Sequence, residues 1–126
     1  MTDDPDRLAQ LKSQFPRIFE HSKIHWGLEY GEGWDELIGT LCARLGTILA
    51  ETPAGIIELH QIKEKFGGLR FYYELKNVDK LHAAQIAVAT QQAEQASFGI
   101  CEACGEPGTQ RNKGWICTLC DRCAMD

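Results

Sequence analysis

Five of the chain's six cysteines fall between Cys101 and Cys123. They read Cys-Glu-Ala-Cys-Gly from Cys101, then a turn-rich stretch, then Trp-Ile-Cys-Thr-Leu-Cys-Asp-Arg-Cys from Trp115. Two thiolates with two residues between them can both face one point from a single tight turn. Two such pairs joined by a short loop suit a tetrahedral zinc ion. Cys101 and Cys104 form one pair without competition, and Gly105 relieves the backbone of the turn that follows. The second pair is either Cys117 with Cys120 or Cys120 with Cys123. The second choice is favoured. Trp115 to Leu119 reads as a strand that Cys120 closes, and Asp121 opens a helical turn that returns Cys123 to the same side. Cys117 then sits in the strand as a small buried residue or a spare thiol. The competing reading is a set of reduced core cysteines or disulfides. Four thiolates leave zinc no open position for water, so a structural role is expected.

These residues need a body to hold them. The chain has 126 residues, 44% hydrophobic and 25% charged, ordinary for one globular domain with a small appendage. No apolar run nears the ~20 residues that span a membrane. The acidic start Met1-Thr-Asp-Asp-Pro-Asp6 is unlike a signal peptide, so a cytoplasmic, reducing setting is expected, which favours zinc thiolates over disulfides. The net charge of −5 is unevenly spread. Positive charge is in local excess only around Lys63, Lys65, Arg70 and Lys76, while the cysteine segment is slightly acidic. A segment without a concentrated basic face is poorly suited to gripping phosphate backbones.

Taken in order, Asp4 reads as a helix cap and Pro5 as a first helical residue, with Leu8, Leu11 and Phe15 on one face until Pro16. His21 and His25 follow as surface or capping histidines. Residues 26–34, Trp-Gly-Leu-Glu-Tyr-Gly-Glu-Gly-Trp, form a structured loop, either a lid over the core or a ligand-binding loop. Asp35 to Glu51 carries a broad apolar stripe and is a helix, with Cys42 on the stripe as a core residue. Ile56 to Leu75 alternates as a β-hairpin turning at Phe66-Gly67-Gly68. Its first strand changes phase near Gln61-Ile62, which predicts a bulge. Asn77 to Ser97 is an alanine-rich helix that runs almost directly into Cys101, so the cysteine segment packs on the body. The expected architecture is α+β: a body over 1–99 with helices flanking a β-hairpin or small antiparallel sheet, a third strand being possible. A zinc ribbon or treble-clef-like knuckle follows over 100–126.

The run Gln61-Ile-Lys-Glu-Lys-Phe-Gly-Gly-Leu-Arg-Phe-Tyr-Tyr73 resembles the hallmark of a family of small uncharacterised bacterial, phage and prophage proteins. Gly31-Glu-Gly-Trp34 and Gly114-Trp-Ile-Cys-Thr-Leu-Cys120 are similar to two further stretches of that family. The resemblance spans roughly residues 26–124. It implies that Cys120 and position 123 form the second ligand pair and that Cys117 is a departure. It also implies a phage or prophage setting, hence a role towards a host factor, but no activity.

The usual catalytic patterns are missing: no phosphate-binding glycine loop, no His-Glu-x-x-His helix, no Gly-x-Ser-x-Gly elbow. A zinc deaminase needs a His-x-Glu and a Pro directly before its Cys-x-x-Cys. His60 with Glu64, or Cys42, does not supply the first, and Pro107 comes after the pair. The expectation is therefore a non-enzymatic, zinc-stabilised interaction protein. Zinc is held by Cys101, Cys104, Cys120 and Cys123. An acidic protein partner meets Lys63, Lys65 and Arg70, with Trp34 or Tyr72 as apolar anchor. The alternative is a nucleic-acid-binding accessory factor using the same basic hairpin.

Overall fold

The computed structural model describes residues 5–24 and 27–125. The expected cap Asp4, together with His25 and Trp26 of the two loop readings, lies outside them. Helix α1 is Pro5–Gln14 and α2 is Pro16–Phe19. The break between them falls where Pro16 lacks an N–H to continue the ladder. A 3-10 turn, Glu32–Trp34, leads into α3, Asp35–Ala50. Strands β1, Ile56–Lys65, and β2, Gly68–Lys76, follow, and then α4, Lys80–Ser97. Two short strands, β3, Thr109–Asn112, and β4, Ile116–Leu119, precede a last helical turn α5, Asp121–Ala124. The protein is thus mixed α and β, with two separate two-stranded antiparallel sheets, β1–β2 and β3–β4. The hairpin gains no third strand among the described residues, only a single bridge between Glu29 and Lys63.

The core is built from the apolar stripe of α3 (Ile38, Leu41, Cys42, Leu45 and Leu49) against Ile57, Leu59, Ile62, Leu69 and Phe71 of the hairpin and Ile86 and Ala89 of α4. Burial lifts the Cys42 thiol to about 12, so it stays protonated as a small core group. Both ends of α3 are held by arginines. Arg7 forks onto Asp35 at 2.6–3.1 Å and stacks over the Tyr30 ring at 4.9 Å. Arg17 donates to the carbonyls of Leu49, Thr52 and Gly55, meeting the negative end of the helix and adding to the turn bonds that Leu49 O and Thr52 O accept from Thr52 N and Gly55 N.

The hairpin register explains the change of phase. Leu59 pairs with Tyr73 and Gln61 with Tyr72, so His60 is the extra residue of a bulge. Leu59 and Ile62 can then both face the core. Both sheet edges are occupied. Lys23 N donates to Leu59 O, and Glu29 exchanges bonds with Ile62 and Glu64, along β1. On the β2 side, Leu69 N donates to Ser97 Oγ at 2.8 Å and Phe71 N to Glu94 Oε2 at 3.0 Å. Side chains of α4 thus cover N–H groups that would otherwise template another strand.

Helices α3 and α4 run antiparallel, since Glu51 at the end of α3 meets His82 at the start of α4. His82 bonds to Glu51 at 3.0 Å and to Asp79 at 2.5 Å, and these carboxylates raise its pKa. A raised pKa means that the folded state holds the proton more tightly. The stabilisation is therefore complete below the unfolded value of about 6.5 and is lost as pH rises through the folded value. His82→Gln should lower the melting temperature most near pH 6, and the gap from wild type should narrow steadily in melts above neutrality. A gap that widens with pH would show that His82 is held neutral.

Candidate metal centre

The first pair sits on a tight turn. Gly105 N donates back to Cys101 O at 2.9 Å, and Gly105 adopts φ +86°, the left-handed conformation that favours glycine. The second pair opens α5. Cys120 is the cap of that turn, and its Sγ accepts from Cys123 N at 3.4 Å. Between the pairs, β3 and β4 fold back on each other, with Arg111 opposite Cys117 and Gln110 opposite Thr118. Turn, hairpin and helical turn in this order make a treble-clef-like knuckle.

Sulfurs of Cys101, Cys104, Cys120 and Cys123 all lie within 4.8 Å of one another, and those of Cys104 and Cys120 are 3.6 Å apart. Zinc–sulfur bonds of about 2.3 Å place the corners of a tetrahedron ~3.8 Å apart. The four thiols fit a tetrahedral ion with small side-chain adjustments. Cys117 is turned away and buried, on the strand as read from the sequence. The thiols split in acidity. Burial pushes Cys101 up, but N–H bonds from Cys120, Cys104 and Ala103 outweigh it and bring it to about 6. Cys123 is pushed up to about 12, first by its bond to Cys120 and then by burial. Four like groups crowded on one point cannot all ionise without a cation among them. Arg122 lies close to Cys104, Cys120 and Cys123, and its pKa is raised, chiefly by a hydrogen bond to Cys104.

The knuckle is seated on glycines. A Cβ on Gly31 would lie 2.2 Å from Glu102 O, and one on Gly33 would lie 2.2 Å from Cys101 O. Gly33 N donates to Glu102 O at 2.9 Å, and Trp34 Nε1 donates to Ile100 O at 2.9 Å. The loop read as a lid or ligand-binding loop is thus, over residues 27–34, the seat of the first cysteine pair. The second seat is the tip of β1–β2. Gly67, at φ +83°, brings its carbonyl to Thr118 Oγ1 at 2.6 Å, and Gln110 Nε2 donates to Phe66 O at 3.1 Å. Glu102 ties the seats together, accepting Thr118 N at 2.7 Å. Burial, followed by the charges of Glu64 and Cys101, overrides that bond and raises its carboxyl to about 7.

Trp34 is 0% exposed, with its indole N–H already bonded, so it is a core residue and cannot serve as a surface anchor. Tyr72 is 40% exposed. Lys63 and Arg70 are directly opposite on neighbouring strands, Tyr72 lies two residues from Arg70 on the same face, and Lys65 lies two residues from Lys63 beside the tip. The basic residues and Tyr72 are therefore brought together. Among the described residues none of the three cations makes an ion pair, although Lys65 Nζ lies 5.7 Å from the Phe66 ring. Sequence reasoning missed Gly31, Gly33, Glu102, Thr118 and Gln110 as supports of the cysteine unit. The Gly-x-Gly spacing was the signal for the glycines, since two positions without Cβ at the start of the Glu32–Trp34 turn let another backbone approach closely. No family model matches this chain, and no curated protein or solved structure matches it significantly.

Gly33→Ala should force the cysteine turn off its seat, lowering stability by about 1–3 kcal/mol and speeding metal loss to a chelator. Gly46→Ala, in open space within α3, should instead add up to about 1 kcal/mol. Chelator-release kinetics and thermal melts on both variants check the contrast. Equal behaviour of the two would remove the seat from the account.

Proposed function

We propose that the chain is a zinc-stabilised interaction module in which the ion fixes the knuckle and the knuckle fixes the tip of the β1–β2 hairpin. The observation that carries this reading is the meeting of four thiols, from two distant pairs, within 4.8 Å. An all-sulfur tetrahedral set suits zinc or iron, and zinc brings no redox chemistry of its own. The residues present would hold it through four thiolates. Its contribution is rigidity, on the order of 10 kcal/mol of binding that becomes folding energy for the C-terminal unit.

The surface offered to a partner is the outer face of the hairpin near its tip, with Lys63, Lys65, Arg70 and Tyr72. Like charges directly across a ladder oppose folding, so the Lys63–Arg70 pair is better explained by an external anion than by the fold. An acidic patch on a protein is the favoured source. Glu58 and Glu74 lie opposite each other further down the same face. Beyond the basic end the face carries as many cations as acids, Lys23 and Lys76 with Glu58 and Glu74, so it offers a long phosphate backbone no continued positive track. A folded partner, matched over a few residues, needs none. Cations on the rim mainly speed association, and Tyr72 supplies the apolar contact that slows release.

Purified protein should carry one zinc per chain. Cys123→Ser should lose it, and Cys117→Ser should keep it. Metal analysis with cobalt substitution reads both, and retention in the first with loss in the second would reassign the ligand pair. Lys63→Glu with Arg70→Glu should leave metal content and fold intact and slow association with the partner recovered by pull-down at least tenfold. Unchanged association would reduce the hairpin to scaffold. Loss of binding to unrelated DNA and RNA, with a shallower salt dependence, would establish the nucleic-acid alternative instead.

A further inference from the structure

On the far side of the molecule, away from the sheet, the outer face of α3 and α4 is almost without charge. No Asp, Glu, Lys or Arg lies between Lys80 and Glu94 on α4, and only Arg44 lies between Glu36 and Glu51 on α3. A solvent-facing helix layer in a chain that is 25% charged would ordinarily carry its charges there. Instead Leu81 is 63% exposed and Val88 49% exposed. The exposed residues Leu81, Ala84, Val88, Gln91 and Gln95 recur at spacings of three and four, the seam of a coiled coil, but on the outside of the helix. An open groove of about 510 Å³ runs beside the seam, lined by Ile48 and Thr47 of α3 and Leu81, Ala84 and Val88 of α4. The helix's other face is already spent on Ile86, Ala89, Thr90 and Ala93 in the core.

We infer that this face is a homodimer interface, in which α4 packs antiparallel on α4 of a second copy with Val88 near the two-fold axis. Charge selects a second copy as the occupant. Two chains of net charge −5 repel wherever their acidic groups approach, and along this groove Arg44 is the one charged side chain among the described residues, the His82–Glu51–Asp79 cluster standing at its Leu81 end. The polar groups it does carry are amides, which both donate and accept and so complement themselves. An antiparallel match about Val88 sets Gln85 of one copy near Gln91 of the other, and Leu81 near Gln95 beside the groove. Arg44 also lines the groove, where its guanidinium is held by Gln92 Oε1 at 2.7 Å. Its two copies fall ~12 Å apart along the axis by helix rise, beyond a Debye length at physiological salt. The 18 residues of α4 span ~27 Å, and two helices abreast are ~20 Å wide. That footprint, on the order of 500 Å² before side-chain relief, is the same order as the ~800 Å² per partner of a stable interface.

Sedimentation velocity on the zinc-loaded full chain tests this. Wild type should sediment as a dimer at micromolar concentration. Leu81→Glu with Val88→Glu, both at exposed positions, should raise the dissociation constant at least about thirtyfold with metal content and circular dichroism unchanged. Gln91→Leu, which lengthens the apolar seam, should tighten the dimer and serves if the double variant misfolds. Lys63→Glu with Arg70→Glu should remain dimeric, which separates this interface from the hairpin surface. A wild-type monomer up to the solubility limit overturns the inference. So does a dimer indifferent to the α4 substitutions, or one dispersed only by the hairpin pair.

Discussion

The cysteine unit meets the rest of the chain backbone to backbone, and most of the architecture around it follows from that contact. Its own apolar burial is slight: among the described residues past 100 the buried hydrophobic side chains are Cys101 and Cys117 alone. A segment with so little to bury cannot offset the entropy of ordering itself through a core. What it has instead is four thiols gathered at its centre and a firm support outside. Carbonyls of Cys101 and Glu102 rest where Gly31 and Gly33 have no Cβ, and the tip glycine Gly67 lies against Cys117 and Thr118. Phe98 closes the gap by laying its ring where a Cβ on Gly68 would stand, 2.4 Å from its Cζ. A side chain at Gly31 or Gly33 would collide with backbone, which cannot rotate away as the end of a flexible side chain can, and one at Gly68 would displace the Phe98 ring.

Periodicity made the body legible. The stripe of Leu41, Leu45 and Leu49 located α3 to within a residue of its observed end. The displaced Ile62 announced a bulge, though the extra residue is His60, one position before the apparent break. The meeting of Cys101, Cys104, Cys120 and Cys123 was legible because it is written in spacing, and Cys117 was set apart by its strand. The rest depends on contacts across long stretches of chain. Trp34 looked like a surface aromatic among glycines and polar residues, but its indole N–H reaches Ile100, sixty-six residues away. The start of α4 was read three residues early, because Asn77 is polar and turn-forming but takes φ 59°, which ends β2 without beginning a helix.

Arginine placement shows the same economy as the glycines. Arg7 and Arg17 sit on opposite ends of α3, one on a carboxylate at its start and one on carbonyls at its end. Arg17 complements the helix dipole and Arg7 holds the carboxylate at its start, and each ties an N-terminal helix to the central one. The short helices α1 and α2 are too brief to be stable alone. Their positions follow from these two forks and from Leu11, Ile18 and Phe19 in the core. Charge inside the body therefore fixes elements in place, while Gly39 and Gly46 on α3, in open space, loosen the helix without any close neighbour to explain them.

The outer face of the hairpin breaks this pattern in an instructive way. It carries two like-charged pairs directly across the ladder, Glu58 with Glu74 and Lys63 with Arg70. Either arrangement alone weakens the sheet. The acidic pair is relieved from within: His60 Nε2 lies 2.8 Å from Glu74 and 3.2 Å from Glu58, and Lys23 and Lys76 reach Glu58 at 3.6 and 3.4 Å. The bulge at His60 is what places an imidazole between the two carboxylates. For the basic pair the described residues provide no such relief, and exchanging one of its members for an acid would favour the fold. Stability of the sheet is therefore not the constraint that set these two residues. They stand on the part of the hairpin whose tip is fastened by Thr118 and Gln110 to the knuckle. A cation pair held on a strand so fastened loses little conformational freedom on meeting an anion, and that low ordering cost comes from the Thr118 and Gln110 bonds to the tip.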